Sequence, residues 1–264
     1  MNNLKIAVVI PCYNSARTIN ACLDSVFKQS HKVDEIIVVD DCSTDNTFAI
    51  LQSCKEKHGQ EYDFKLIKLD VNSGPSTARN TGIKAARSEW IAFLDADDYW
   101  HESKLQKQIE LYKTHPDCKL IGCAYQKKKL ADRLQFKQIS FEDLCLKNYF
   151  DTPTVLVKKE VVEKFLFNPQ QKHSEDYRLW LQIVKENKSV YLNEILAYSV
   201  DGKFAYGESG LSANIWEMEK GELSNFKYLY DSRQLSFGLY CFYSAFSFLK
   251  FLRRKLISYK RKLA

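Results

Sequence analysis

Four apolar segments, each ending in polar residues and followed by a segment with helical periodicity, constrain the fold of this chain most strongly. The apolar segments cover residues 5–10, 35–39, 64–69 and 90–94. Strands buried on both faces read as continuous apolar runs, and strands that alternate with helices form parallel sheets. The pattern therefore predicts an α/β fold, with a mostly parallel sheet and helices on both faces.

The helical segments have start signals of their own. Ser15 is placed to cap the first helix, and Thr44 or Asp45 the second. Gly74-Pro75 opens the third helix. The helices are predicted over 16–29, after the cap at 44 or 45 through at least 54, over 75–86 and over 103–115, with later strands over 120–125 and 153–157.

Polar residues follow all four strands, where ligands bind in open α/β sheets. The acidic group is the strongest of these signals, because Asp95, Asp97 and Asp98 directly follow the buried strand 90–94. Carboxylates spaced Asp-x-Asp suit a hard divalent cation whose remaining ligands come from a bound phosphate. The structural alternative is a solvated acidic turn before the helix that starts near Ser103.

Charge and cysteine content exclude several classes of protein. The net charge of +6 comes from seven basic residues after position 234, which leaves −1 for the first 234 residues, so a generally basic nucleic-acid binder is not expected. The eight cysteines form no C-x-x-C pair, which predicts reduced thiols in a cytosolic protein. The G-x-G-x-x-G and G-x-x-x-x-G-K-[ST] motifs do not occur, which argues against dinucleotide-binding Rossmann and P-loop domains.

Four blocks, in this order and spacing, resemble the family 2 glycosyltransferases of the GT-A fold. The blocks are VVIPCYN (residues 8–14), VVDDCSTD (38–45), GPSTARN (74–80) and FLDADD (93–98). The resemblance covers about residues 4–200. It implies a nucleotide-sugar donor, a divalent metal ion (Mn²⁺ or Mg²⁺) and inversion at the anomeric carbon.

The resemblance also implies roles for individual residues. Pro11 and Tyr13 would form the wall beside the nucleotide base, and Asp41 would accept a hydrogen bond from it. Asp95 would lie near the ribose, and Asp97 would bind the metal ion, with Asp95 as a second candidate ligand. The full set implied for nucleotide-sugar binding is Pro11, Tyr13, Asn14, Asp41, Gly74, Arg79, Asp95, Ala96 and Asp97.

The second half of the chain contains a candidate catalytic base. Ser174 is placed to cap a helix whose apolar stripe is Tyr177, Trp180, Leu181 and Val184. Acidic residues at a helix start are also favoured by the helix dipole alone. The Glu175-Asp176 pair resembles the acceptor-base motif of the family, which implies Asp176 as the base and Glu175 as the second candidate. The Gln-x-x-Arg-Trp motif of processive synthases is absent, which predicts transfer of one sugar per encounter.

The C-terminal segment differs in composition from the rest. Residues 235–249 are apolar and aromatic, and basic residues follow them. The run is too short to span a bilayer but suits a helix lying in the headgroup region of an anionic membrane. The alternative is a helix packed on the catalytic core or on a second subunit. We expect a GT-A domain over 1–210, divided at 125 into nucleotide-sugar and acceptor halves, and a helical appendage over 211–264.

The sequence predicts an inverting, metal-dependent glycosyltransferase. It would move a hexosyl or N-acetylhexosaminyl unit from a UDP-sugar to a glycan or polyprenyl-diphosphate-linked acceptor in surface-polysaccharide synthesis. It would be cytoplasmic and peripheral on the inner face of the cytoplasmic membrane. Two alternatives stay open, a sugar-phosphate nucleotidylyltransferase and a non-catalytic nucleotide-sugar-binding scaffold. The first would need a Gly-rich, Arg-containing loop after the first strand, where the chain has Pro11-Cys12-Tyr13-Asn14.

Overall fold

The computed structural model of the chain describes residues 4–126, 130, 134–202 and 214–263, with side chains as far as residue 259. Within these residues, strands and helices alternate through the first half, as predicted. The strands are β1 (Ile6–Cys12), β2 (Glu35–Asp40), β3 (Asp63–Lys68), β4 (Trp90–Phe93), β5 (Asp98–Trp100), β6 (Cys118–Tyr125), β7 (Phe136–Gln138), β8 (Leu156–Lys158) and β9 (Lys188–Ser199). The helices are α1 (Ile19–Phe27), α2 (Thr47–His58), α3 (Pro75–Ala85), α4 (Lys104–Thr114), α5 (Phe141–Leu146), α6 (Lys159–Phe165), α7 (Glu175–Glu186), α8 (Ile215–Asp231) and α9 (Phe237–Leu263).

The strands form one mixed sheet in the order β3-β2-β1-β4-β8-β6-β9-β5, with β7 paired to β9. The first four strands in this order are parallel. Because β8 is antiparallel to both β4 and β6, and β9 is parallel to β6, the strands β6 and β9 share the direction of β1. The predicted α/β fold with a mostly parallel sheet is thus confirmed, with β5, β7 and β8 running the opposite way.

The central strands are apolar throughout because helices cover both faces of the sheet. In β1 the side chains of Ala7 and Val9 belong to one core, and those of Ile6, Val8 and Ile10 to the core on the other face. Burial on both sides explains why these strands read as unbroken apolar runs.

Two of the predicted helix starts are wrong. Helix α1 begins at Ile19 rather than residue 16, and the backbone carbonyl of Ser15, not its side chain, accepts the N–H groups of Thr18 and Ile19. Helix α2 begins at Thr47, and Asp45 accepts the Thr47 N–H at 2.9 Å from two residues upstream. Hydrogen bonds join the two segments before these helices, since Asp45 also accepts the Ala16 N–H at 3.1 Å and the Thr47 hydroxyl accepts the Ser15 N–H at 2.7 Å.

The second half departs further from the prediction. Residues Thr152–Thr154 form a 3₁₀ turn, and the strand predicted over 153–157 is the shorter β8. Ser174 precedes helix α7, but its φ is 56° and its hydroxyl donates to the carbonyl of Met218 at 3.1 Å, so it provides no side-chain cap. The apolar stripe predicted for α7 is buried as expected.

Helices α8 and α9 pack on the core and on each other. Phe226 of α8 lies edge-on to Tyr177 and stacks on Tyr243 of α9. Buried Glu219 and Glu222 both bind the guanidinium of Arg254. One face of α9 therefore packs on the protein, as the packed-helix alternative predicts. No helix in the described part of the chain is long and apolar enough to cross a membrane.

Candidate active site

Side-chain hydrogen bonds join the loops that follow β1 and β2. The Oδ1 of Asn14 accepts the Thr44 N–H at 2.8 Å, and the Asn14 N–H donates to the Oγ of Ser43 at 2.9 Å. Asn14 and Cys42 have φ values of 48° and 62°, in the left-handed region where most non-glycine residues are disfavoured. Such outliers cluster at functional sites because surrounding contacts must stabilise them.

Asp41 connects the loop after β2 to the loop after β3. Its side chain is buried, and its two carboxylate oxygens accept the backbone N–H groups of Ser73 at 2.8 Å and Gly74 at 2.7 Å. Gly74 has a φ of 84°, which a side chain would disfavour, and it directly precedes α3. Pro11 is buried inside β1, whereas Tyr13 is 47% exposed at the same edge. Pro11, Tyr13, Asp41 and Gly74 therefore lie along one edge of the sheet, in a rim formed by the loops that follow β1, β2 and β3.

The acidic residues lie at the carboxyl end of β4 and lead into β5. Asp95 is partly buried, Ala96 is buried and Asp97 is exposed, and the carbonyl of Asp97 accepts the N–H of Val200 at 2.9 Å. The neighbouring Asp98 points inward, where its carboxylate accepts the hydroxyl of Tyr125 at 2.7 Å. Burial, followed by the charges of Asp95 and Asp97, raises the pKa of Asp98 well above its usual range.

Arg79 brings the two halves of the candidate site together. Its Nη2 donates to Asp95 at 2.8 Å and its Nη1 donates to Glu175 at 3.0 Å, while the guanidinium lies over the ring of Phe167. Burial alone would lower the pKa of Arg79, but the carboxylates of Asp95 and Glu175 outweigh it, and the net shift is upward. One buried cation therefore joins the acidic end of β4 to the first turn of α7, where Glu175 lies 96 residues from Arg79 in sequence.

Asp176 has the environment of a proton acceptor. Its Oδ1 accepts a hydrogen bond from the backbone N–H of Tyr177 at 2.7 Å, and its Oδ2 accepts one from the hydroxyl of Thr152 at 3.3 Å. Burial and the adjacent Glu175 carboxylate raise the pKa of Asp176 to about 7, against the opposite effect of Arg79. A carboxylate with a pKa near neutrality is suited to general base catalysis.

Sequence reasoning missed two residues of this region. Asp98 was read as part of the acidic loop, although it begins β5 and its carboxylate is buried against the hydroxyl of Tyr125. Thr152 lies in the unexpected 3₁₀ turn and has no local motif. Its contact with Asp176 depends on the packing of β8 beside β4.

The acidic strand end fits a divalent cation only in part. In the described residues, no group of three or more His, Cys, Asp or Glu side chains could hold a metal ion by itself. Asp95, Asp97 and Asp98 are nevertheless close enough for the first two to raise the pKa of the third, and a cation would relieve this repulsion. A metal ion here would depend on one or two carboxylates and on oxygens of a bound ligand.

Comparison with known proteins identifies the family. The sequence model described as "Glycosyl transferase family 2" matches residues 7–165. An uncharacterized glycosyltransferase of Haemophilus influenzae is 31% identical, over 82% of this chain and 87% of its own length. The Escherichia coli protein WfgD, named as a UDP-Glc:α-D-GlcNAc-diphosphoundecaprenol β-1,3-glucosyltransferase, is 30% identical over 81% of this chain and 82% of its own.

Solved structures share the fold at lower sequence identity. The Staphylococcus aureus protein TarS (residues 1–349, with UDP) aligns with a TM-score of 0.63 and 22% identity, over 84% of this chain and 65% of that chain. The mannosyltransferase PcManGT of Pyrobaculum calidifontis, with GDP-Man and Mn²⁺, aligns with a TM-score of 0.68 and 20% identity, over 86% and 64%. This chain thus spans about two thirds of these solved chains. From the family match, the relatives and the shared fold, we conclude that the chain belongs to the family 2 glycosyltransferases of the GT-A fold.

Proposed function

We propose that the protein transfers one hexosyl or N-acetylhexosaminyl unit, with inversion, from a UDP-sugar to a hydroxyl group of a lipid-linked oligosaccharide in surface-polysaccharide synthesis. The observation that carries the proposal is the contact of Arg79 with both Asp95 and Glu175. It supports the proposal because it joins the acidic end of β4 to the first turn of α7, which also carries Asp176. The name of the Escherichia coli relative supports a UDP-sugar and a diphosphoundecaprenol-linked acceptor.

In the proposed reaction, the acceptor hydroxyl attacks the anomeric carbon from the side opposite the departing nucleotide. Asp176 takes the proton of this hydroxyl as the new glycosidic bond forms and the bond to the diphosphate breaks. Thr152 and the start of α7 orient the Asp176 carboxylate through their hydrogen bonds. Arg79 binds the Glu175 carboxylate and balances its negative charge, so that Asp176 does not lie beside an unpaired anion.

Asp97, with Asp95, would hold the divalent cation. When bound, Mn²⁺ or Mg²⁺ neutralises the charge that develops on the leaving diphosphate. Asp95 already shares its charge with Arg79, and Asp97 is the more exposed of the two, so we propose Asp97 as the principal ligand.

A panel of nucleotide sugars tests the proposal directly. The full chain, with Mn²⁺ or Mg²⁺, should bind at least one UDP-sugar and hydrolyse it slowly without an acceptor. With an undecaprenyl-diphosphate-linked acceptor it should transfer the sugar with inverted anomeric configuration, which NMR of the product would show. Binding without any turnover would favour the non-catalytic scaffold, and release of a sugar phosphate would favour the nucleotidylyltransferase.

Asp41→Asn should weaken UDP binding by about 1–3 kcal/mol. The new amide N–H₂ group is a donor, and it would face N–H donors whose hydrogen bonds the Asp41 carboxylate accepts. Two of those donors are the Ser73 and Gly74 N–H groups, so the rim itself should also loosen. Titration calorimetry with UDP measures the first effect and thermal unfolding the second.

Asp34→Asn is the matched control for this substitution. Asp34 also accepts a backbone N–H, from Ile6 at 2.8 Å, but at the opposite edge of the sheet. It should lower stability without changing UDP affinity. Unchanged UDP affinity in Asp41→Asn would assign Asp41 to structure alone.

We further propose that the outer face of α9 lies on the anionic inner surface of the cytoplasmic membrane. Four of its exposed apolar side chains form a stripe on the helix. The stripe comprises Phe242, Leu249, Leu252 and Leu256. Arg253 and Lys255 are exposed beside it, whereas Arg254 binds Glu219 and Glu222 and Lys250 donates to the carbonyl of Leu146. Only part of the basic cluster therefore remains for lipid headgroups.

Replacing the four residues of this stripe by Ser should reduce binding to phosphatidylglycerol-containing vesicles at least about tenfold, since the buried apolar area drives insertion. Vesicle flotation measures the bound fraction. Deleting residues 235–264 is a poorer test, because it would leave buried Glu219 and Glu222 without Arg254. Val71→Ser, which removes an exposed apolar residue elsewhere, is the control. Equal flotation of the stripe variant and the wild type would contradict the membrane proposal.

A further inference from the structure

A cleft of about 610 Å³ lies beside the candidate active site, between α1, β5 and the end of β9. It is distinct from the rim formed by the loops after β1, β2 and β3. Two tyrosines and three charged side chains give it its chemical character. These are Tyr99, Tyr198, Asp24, Lys28 and Glu102.

The two tyrosines form a rigid aromatic surface. Tyr99 and Tyr198 are direct partners across the antiparallel β5–β9 pair, and their rings stack with centroids 5.2 Å apart and planes 17° apart. The hydroxyl of Tyr198 donates to the carbonyl of Ile195 at 3.0 Å, which fixes its ring. Tyr99 remains 37% exposed. Tyrosines held in this way provide contact area at a low cost in conformational entropy.

The charged side chains point to a ligand rich in hydroxyl groups. Asp24, Lys28 and Glu102 are exposed, and among the described residues none forms a salt bridge with the Asp24 or Glu102 carboxylate. Ionised carboxylates accept strong hydrogen bonds from hydroxyl groups, and the negative face of an aromatic ring attracts the polarised C–H groups of a sugar ring. Two carboxylates disfavour a polyanion, and three charged groups disfavour a purely apolar ligand.

The cleft adjoins the acidic strand end. Tyr99 lies in β5, and Asp97 directly precedes this strand, two residues before Tyr99. Val200, which also lines the cleft, donates its N–H to the carbonyl of Asp97. A molecule in the cleft would therefore lie next to the proposed metal and diphosphate region without occupying it.

We propose that this cleft is a carbohydrate subsite that binds a non-reacting sugar residue of the glycan, through the Tyr99–Tyr198 surface and the carboxylates of Asp24 and Glu102. The identification of the sugar as part of the substrate or product glycan rests on the proposed transferase function. The capacity of the cleft to bind a saccharide does not.

The test uses the full chain without nucleotide, with cellobiose and N,N′-diacetylchitobiose as probes in saturation-transfer NMR. Wild-type protein should bind at least one probe, with a dissociation constant on the order of 1 mM. Tyr99→Leu should weaken binding about five- to tenfold, which is the range for loss of an aromatic contact. An Asp24→Asn, Glu102→Gln double variant changes only exposed side chains and should also bind more weakly, so it serves if Tyr99→Leu does not fold.

Tyr230→Leu is the matched control. Tyr230 is 38% exposed and stacks on Tyr240 with centroids 5.1 Å apart and planes 19° apart, but it does not line the cleft. Its replacement should leave saccharide binding unchanged. Failure of wild-type protein to bind either probe, or equal weakening by Tyr99→Leu and Tyr230→Leu, would overturn the subsite. Calorimetry with UDP on the same samples separates the outcomes, since intact UDP binding would leave the proposed function standing.

Discussion

Asp176→Asn is expected to lower the rate of sugar transfer roughly 10²–10⁴-fold, the usual contribution of a positioned general base. The amide keeps the size of the side chain and an oxygen that can accept the Tyr177 N–H, but it cannot take the proton of the acceptor hydroxyl. UDP-sugar affinity should stay within about threefold, because the substitution removes an interaction made in the transition state. Initial rates at saturating donor, together with calorimetry, separate the two effects.

The pH profile makes this test specific. Because burial raises the pKa of Asp176 to about 7, the wild-type rate should fall as the pH drops below about 7 and the base becomes protonated. Asp176→Asn should lack this dependence.

The raised pKa of Asp176 also affects the stability of the protein. Between about pH 4 and pH 7 the folded protein retains a proton that the unfolded chain releases, so wild-type stability falls as the pH rises. The Asn variant should therefore be no less stable than wild type at pH 8.

Glu175→Gln is the matched control and should cost less activity than Asp176→Asn. Glu175 is buried, and its carboxylate accepts a hydrogen bond from Arg79. Its proposed role is therefore to position the Arg79 guanidinium and to balance its charge. An inactive Glu175→Gln beside an active Asp176→Asn would exchange the two roles. Normal transfer by both variants would mean that the base lies elsewhere.

Asp97→Ala is expected to lower turnover by at least about 10²–10³-fold, since a metal ligand at the leaving diphosphate supplies several kcal/mol of transition-state stabilisation. Excess EDTA should have the same effect on wild-type protein, and added Mn²⁺ should restore the wild type but not the variant. Circular dichroism should be unchanged because the Asp97 side chain is exposed.

Asp117→Ala is the control for the loss of an exposed carboxylate. Asp117 pairs with Lys188 and directly precedes β6, at the opposite edge of the sheet from Asp97. Its removal should leave turnover and its metal dependence unchanged. Full activity of Asp97→Ala, or of wild-type protein in excess EDTA, would refute the metal assignment.

Elements with strong local patterns could be predicted from sequence. The unbroken apolar runs of β1, β2 and β4 reflect burial on both faces, and the breaks after Cys12, Asp40 and Phe93 locate the loops. Parallel strands bring all these loops to one edge, so the sequence also indicated where a site would form. Helix starts were less predictable, as Ser15 and Ser174 illustrate. A capping side chain requires a particular backbone conformation, and residues distant in sequence decided that conformation.

The sequence by itself determined the α/β architecture, the family and the set of candidate residues, because these depend on periodicity and short motifs. Tertiary structure alone decided how the candidates are connected. The contacts of Arg79 with Glu175 and of Thr152 with Asp176 span 96 and 24 residues. No local pattern specifies such pairs, since they arise from the order in which strands join the sheet. The same reason applies to α9, whose composition left a membrane-bound helix and a packed helix as alternatives. Long-range packing against α8 assigns one of its faces to the protein core, and only the other face remains exposed.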